Sequence, residues 1–228
     1  GNAFYGCSNL ANVTLSKNLE SMGSSAFGNC DGLTQIEIPK SLESCDISYG
    51  SYGPFRDCDK LKKVKFEEGT TVIATMLFHH CTGIEEIEIP DTVTIIKDSA
   101  FEECTNLRSV QIPDTVTKIE PEAFQNCVGL TNIRIPDSVT RIDGGAFYGC
   151  SNLVNVTLSK NLESMGNSAF GNCDKLTEIE IPKSLTSCDI FYGSYGPFRD
   201  CDKLKKVKFE EGTTVIATML FHHCTGIE

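Results

Sequence analysis

The spacing of the cysteines constrains this chain more than any other feature. Ten of the twelve stand at positions 7, 30, 58, 81, 104, 127, 150, 173, 201 and 224, seven steps of 23 residues and two of 28. A fixed period in this range marks a stacked array. One such unit is too small to bury its own apolar face and must lean on its neighbours.

The best-formed unit, from Ala100, reads AFEECTNLRSVQIPDTVTKIEPE, and the next, from Ala123, reads AFQNCVGLTNIRIPDSVTRIDGG. The inward candidates are Cys104, Leu107, Val110, Ile112, Val116, Ile119, Ala123 and Phe124. The alternation Val110–Gln111–Ile112 predicts a strand with Ser109 and Gln111 facing out. Pro113 ends it, since proline has no N–H to give to a ladder. Residues 121–127 read as one helical turn, with Pro121 at the first helical position, where a missing N–H costs nothing. The unit is therefore a short strand, a turn, a second extended piece and a helical turn. Parallel stacking at about 4.7–4.9 Å per strand would align ten phenylalanines and ten cysteines into two buried spines. The phenylalanine series runs from Phe4 to Phe221.

The pattern carried by Leu107, Val110, Ile112, Pro113, Val116, Ile119, Ala123, Phe124 and Cys127 resembles the BspA-type leucine-rich repeat, and it recurs along essentially the whole chain. The resemblance implies a right-handed β/α superhelix, a repeat solenoid with a parallel sheet of short strands. Each 23-residue coil would give one strand, with single helical turns or irregular segments on the other face. It also implies a cell-surface or secreted protein of a host-associated microbe that works in adhesion and host-protein binding. One departure is Phe66-Glu67 in place of the Ile-Pro pair, followed by Gly69-Thr70 in place of the apolar turn residue; residues 204–214 repeat it.

A longer repeat overlies the short one. Residues 1–85 match residues 144–228 at a shift of 143, six periods of 23 plus five, and differ only at positions 2, 11, 24, 32, 35, 43 and 48. None of these is an inward position. The whole of 1–228 reads as one solenoid domain, a fragment without polar end caps that would self-associate end to end.

Composition narrows the chemistry. A net charge of −11 argues against nucleic acid or anionic membrane as partner. No apolar run approaches the length of a membrane span, and no signal peptide stands in this segment. The cysteines read as a ladder of buried thiols rather than disulfides or a metal array. Equivalent side chains point the same way, no C-x-x-C occurs, and free cysteine packs as a small hydrophobe. His79-His80 and His222-His223, beside Cys81 and Cys224, read as exposed pairs, because neighbours on one turn diverge and four zinc ligands must converge. Asn12-Val13-Thr14 and Asn155-Val156-Thr157 read as strand residues that accept glycans only in a eukaryotic secretory setting. No nucleophile–base set or phosphate-binding glycine loop is present, so an enzyme is not expected, nor a cofactor or metal.

Two places are candidates for recognition. The first is the outward strand positions, which line the concave face if the resemblance holds: Lys63, Lys65, Glu86, Glu88, Gln111, Arg134, Glu178, Glu180, Lys206 and Lys208. They form either a self-satisfied polar sheet or a docking surface for a protein, and they lack the aromatic residues that a sugar platform needs. The second is the five-residue insertion in SCDISYGSYGPF and its copy SCDIFYGSYGPF. Phase counting puts Cys45 and Cys188 in an inward slot, so only the following residues bulge. Tyr49, Tyr52, Phe191, Tyr192 and Tyr195 either pack back over the coils or present a recognition loop; the Ser48/Phe191 difference argues that this position is exposed. The expected function is a non-enzymatic adhesion module, binding a protein of the host or of a neighbouring cell surface or matrix. A spacer, or glycan binding through the tyrosine loops, is the alternative.

Overall fold

A computed structural model describes residues 1–47, 52–189 and 195–228. Each of the seven coils between Cys30 and Asp200 gives two strands, not one. The longer series follows the predicted alternation: β2 (Gln35–Ile38), β4 (Lys63–Phe66), β6 (Glu86–Glu88), β8 (Ser109–Gln111), β10 (Asn132–Arg134), β12 (Asn155–Thr157), β14 (Glu178–Ile181) and β16 (Lys206–Phe209). The second series forms from the extended piece after the proline turn: β1 (Ser21–Gly23), β3 (Ser44–Asp46), β5 (Val72–Ile73), β7 (Ile95–Ile96), β9 (Lys118–Ile119), β11 (Arg141–Ile142), β13 (Ser164–Gly166) and β15 (Ser187–Asp189). All pairings are parallel and in register, coil on coil, as Ile96 on Ile119 and Ile119 on Ile142. Asn12 and Thr14 are exposed but lie outside any strand.

The predicted helical turn does not form; no helix occurs among the described residues. In the segment 121–127, Gln125 and Cys127 donate to carbonyls three residues back, at 3.0 and 3.3 Å. Glu122, Phe124 and Asn126 instead donate to Gly144, Ala146 and Tyr148 of the next coil, at 3.0, 2.8 and 2.7 Å. A helix directs every N–H along its own axis; here alternate N–H groups point along the solenoid. Glu122 and Asn126 make the switch with φ of 56° and 55°. The residues two before and two after each spine phenylalanine have positive φ in every coil except the two that follow the insertions, where only the later one does. Left-handed backbone costs a non-glycine residue roughly 1–2 kcal/mol, which the bond to the next coil offsets.

The buried residues form one hydrophobic cluster. Its spine is the ten phenylalanines, stacked near-parallel with centroids 4.9 to 5.8 Å apart from Phe4 to Phe221. Beside it run the cysteines, all free. The thiol of Cys127 donates to the Phe101 carbonyl at 3.1 Å, and that of Cys150 to Phe124 at 3.3 Å. The same bond recurs from Cys30 to Cys224. At Phe101 and Phe124, for example, the spine carbonyl thus accepts its own coil's cysteine N–H and the next coil's S–H, while Phe27 and Phe170, just before the insertions, accept the S–H of Cys58 and Cys201. Burial pushes the Cys58 and Cys150 thiols up to about 12. The departure at Gly69-Thr70 is accommodated as well: Thr70 is buried, and its hydroxyl donates to the Glu67 carbonyl at 2.7 Å.

The 28-residue coil leaves the long-strand pairs intact and perturbs the second series and the turn beside the spine. Strands β5, β7, β9, β11, β13 and β15 form one six-stranded sheet, whereas the pair β1 and β3 stands apart from it. Lys97 reaches back across that break, its Nζ donating to the Glu43 carbonyl at 2.9 Å. Cys45 and Cys188 are half-buried against the core rather than fully inside it, because the strands they centre, β3 and β15, lead into the insertions. The chain rejoins the coil at Gly53 and Gly196. A Cβ there would lie 1.6 Å from the carbonyl oxygen of Met76 or Met219, so only glycine allows so close an approach.

Candidate docking face

The long-strand series displays all ten outward candidates together. Lys63 and Lys65 on β4, Glu86 and Glu88 on β6, Gln111 on β8, Arg134 on β10, Glu178 and Glu180 on β14, and Lys206 and Lys208 on β16 are exposed on one face. The strand period of two puts them there while Ile36, Ile87, Ile133 and Ile179 point inward. Adjacent columns carry opposite charge. Lys65 meets Glu37 at 3.1 Å and Lys206 meets Glu178 at 3.4 Å. Arg134 turns to Asp114 at 3.2 Å. Between the charged ends, the strands β8, β10 and β12 carry Arg134 alone as an outward charge.

One feature of this face was not read from the sequence. Its strands are laddered in pairs, β2 with β4, β6 with β8, β10 with β12 and β14 with β16, and no ladder joins β4 to β6, β8 to β10 or β12 to β14. The mid-strand residue alternates in step: Ile36, Val64, Ile87, Val110, Ile133, Val156, Ile179, Val207. Every isoleucine is buried and every valine only half-buried. A two-coil alternation of Ile and Val was the available signal. Because the long repeat spans six coils, an even number, both blocks keep the same phase.

Grooves lie at two open junctions of equivalent position. One, of about 590 Å³, is lined by Asn12, Thr14, Gln35, Glu37 and Lys65 over Val13 and Ile36. Its copy, of about 560 Å³, is lined by Asn155, Thr157, Glu178, Glu180 and Lys208 over Val156 and Ile179. Of the seven differences between blocks, the one at 35/178 changes a groove wall from Gln to Glu. Both N-V-T sequences sit at these grooves.

Beside the insertion a second cluster forms, from residues that the sequence reading kept apart. The Arg56 guanidinium lies 3.4 Å from the Tyr52 ring centroid, and the copy, Arg199 on Tyr195, lies at 3.6 Å. The His79 ring borders Tyr52 at 5.9 Å, and His222 borders Tyr195 at 5.8 Å. A guanidinium thus covers one ring face of Tyr52 and of Tyr195. Tyr49, Phe191 and Tyr192, and position 48, lie outside the described residues. Contrary to the expectation of an exposed pair, His79 is buried, 8 % exposed, because the next coil closes over it and brings Glu102 to 3.6 Å. Burial, and next the charge of His80, hold its imidazolium down to about 4. His80 is half-buried between Asp57 at 3.5 Å and Glu103 at 2.5 Å. Among the described residues, no group of three or more His, Cys, Asp or Glu side chains is arranged to hold a metal ion. Among the described residues no helix is long and apolar enough to cross a membrane.

Parallel strands stacked one coil on the next, over a phenylalanine spine and a thiol ladder, make this a leucine-rich-repeat solenoid. More narrowly, the chain belongs to the BspA type leucine rich repeat family, whose model matches residues 1–104, 71–196 and 194–228. Solved structures share the fold. A leucine-rich repeat protein of T. pallidum is 23 % identical, with a TM-score of 0.62 over 86 % of this chain and 78 % of that one. A leucine rich cell surface protein from Faecalibacterium prausnitzii is 25 % identical, with a TM-score of 0.56 over 100 % of this chain and 67 % of that one. The pneumococcal vaccine antigen PcpA is 21 % identical, with a TM-score of 0.63 over 92 % of this chain and 53 % of that one. No curated protein matches in sequence.

Proposed function

We propose that this solenoid is a non-enzymatic protein-binding and adhesion module of a cell-surface or secreted protein, and that it docks its partner on the long-strand face. The observation that carries this reading is the repetition of one exposed face, with its charged columns and its groove, in two nearly identical blocks six coils apart. The core needs the inward residues, but burial does not require Lys63 and Lys65 to return as Lys206 and Lys208. The polar, aromatic-free columns suit a protein surface better than a sugar. The similarity to a protein described as cell surface and to a vaccine antigen supports an exposed setting. The partner would be a protein of the host or of a neighbouring cell surface or matrix.

The test is charge reversal of Lys63, Lys65, Lys206 and Lys208 together, read as attachment of the chain to cells or matrix. Attachment should fall at least about tenfold if these columns dock the partner. A second reading, a spacer, rests on the unbroken phenylalanine stack. It gains if attachment is unchanged by that variant and also by Tyr52→Ala with Tyr195→Ala. Loss with the tyrosine variant alone would move the site to the insertion.

A further inference from the structure

The order of charges along the long-strand face is self-complementary, and we propose that a second copy of this chain docks on it, face to face, about a two-fold axis parallel to the strands. The proposal rests on the reading of this face as a docking surface and names its occupant. Such an axis reverses the order of coils but keeps the direction of each strand, so one patch meets the same patch on the copy. With β4 placed over β14 of the second copy, Lys63 faces Glu178 and Lys65 faces Glu180. The same placement sets β2 over β16, so that Glu37 faces Lys208 and Gln35 faces Lys206. The axis repeats each of these contacts. Between them β6 faces β12, which sets Glu86 and Glu88 against Asn155 and Thr157, and β8 faces β10, where the outward residues are Ser109, Gln111, Asn132 and Arg134. The registers come directly from the ladder positions, in which Gln35 aligns with Lys63 and Glu178 with Lys206.

A slip of one coil loses the Lys–Glu contacts in either direction. One way, Lys63 and Lys65 face Lys206 and Lys208, while Glu86 and Glu88 face Glu178 and Glu180. The other way, Glu37 faces Glu180 and Lys63 and Lys65 face Asn155 and Thr157, and the one new attraction, Glu88 to Arg134, offsets that repulsion without replacing the lost pairs. Like charges set opposite one another repel across an interface and exclude the wrong register. The charged columns also sit toward the two ends of the face, on β2, β4 and β6 and on β14 and β16. The internal pairs Lys65–Glu37 and Lys206–Glu178 are exposed on the same face and join the network rather than compete with it, since a carboxylate accepts several donors.

The experiment is sedimentation velocity on the full chain, with circular dichroism to verify folding of every variant. The wild type should form a reversible dimer that weakens about tenfold or more when salt rises from about 0.05 to about 0.5 M, as exposed charges are screened. K63E/K65E alone should be monomeric, as should E178K/E180K alone. An equimolar mixture of the two should dimerise, because each variant then meets its complement at both ends, and the fourfold variant carrying both swaps should dimerise by itself. E20K/E163K, which reverses exposed charges beside the second strand series rather than on the long-strand face, should leave the dimer within about twofold of wild type. A monomeric wild type, a mixture that stays monomeric, or loss of dimer in E20K/E163K overturns the proposal. End-to-end association through the apolar coil ends would persist in all these variants, which also overturns it. If the wild type is monomeric yet lysine reversal abolishes attachment to cells, the docking reading stands and only its occupant is wrong. A dimer that obeys the charge swap while attachment is unaffected has the opposite meaning.

Discussion

The two sides of the coil handle the same stacking problem differently. On the Phe–Cys side every coil is bonded to the next, by three N–H groups, one S–H and one aromatic contact at a regular coil. On the long-strand side the ladder closes only at every second junction, and the outward residues differ from coil to coil. The difference shows where the array is rigid and where it is free to vary. Bonds that repeat at every coil fix the inward residues, whereas a face joined in pairs leaves side chains and grooves available for a partner.

If that division holds, the largest effect belongs to the spine. Phe124→Ala removes a fully buried ring stacked on both sides and should cost about 3–5 kcal/mol by urea denaturation. A cost below about 1 kcal/mol would show that the turn side is not the rigid one.

Next comes His79, on the same side. Its folded value of about 4 lies below the ordinary 6.5. The unfolded chain therefore binds the proton first as pH falls. The wild type should lose up to about 3 kcal/mol between pH 6.5 and 4 from this residue and nothing more from it below that range. His79→Gln should flatten that part of the stability–pH curve; an unchanged slope would mean that the ring is not closed off from water.

A smaller loss is expected from the thiol ladder. Cys127→Ala removes the S–H bond to Phe101 and part of the side-chain volume, about 1–2 kcal/mol. In the native chain a thiol reagent at pH 8 should label exposed Cys7 at once and leave Cys81, Cys104 and Cys127 unreacted until unfolding, because burial raises their thiol pKa. Rapid labelling of these buried thiols would contradict the closed turn side.

The smallest effect sharpens the contrast from the other side. Lys65→Ala removes an ion pair whose partners are 74 % and 59 % exposed, and should change stability by less than about 0.5 kcal/mol. A change above about 1 kcal/mol would mean that the strand face is structural rather than available for binding.

The reach of the sequence follows from the same division. The cysteine period fixed the coil, and the spacing of Val110, Ile112, Pro113 and Phe124 placed the strand, its end and the spine. The ten outward residues are exposed as the alternation required. The helical turn was misread because a proline followed by an Ala-Phe pair resembles a helix start. The left-handed positions at Ser99, Glu122, Met76 and His80 share no residue type that announces them. Burial of His79 was illegible for a related reason: the residue that covers it, Glu102, belongs to the next coil.

By itself the sequence determined the repeat, its register and the inward set, because a period of 23 admits one way of stacking equal units with their apolar positions aligned. Only the tertiary structure decided that alternate N–H groups in the turn go to the neighbouring coil, that the long-strand ladder closes in pairs and that His79 lies under Glu102. Each of these depends on where the adjacent coil stands, and a single unit's residues do not contain that distance.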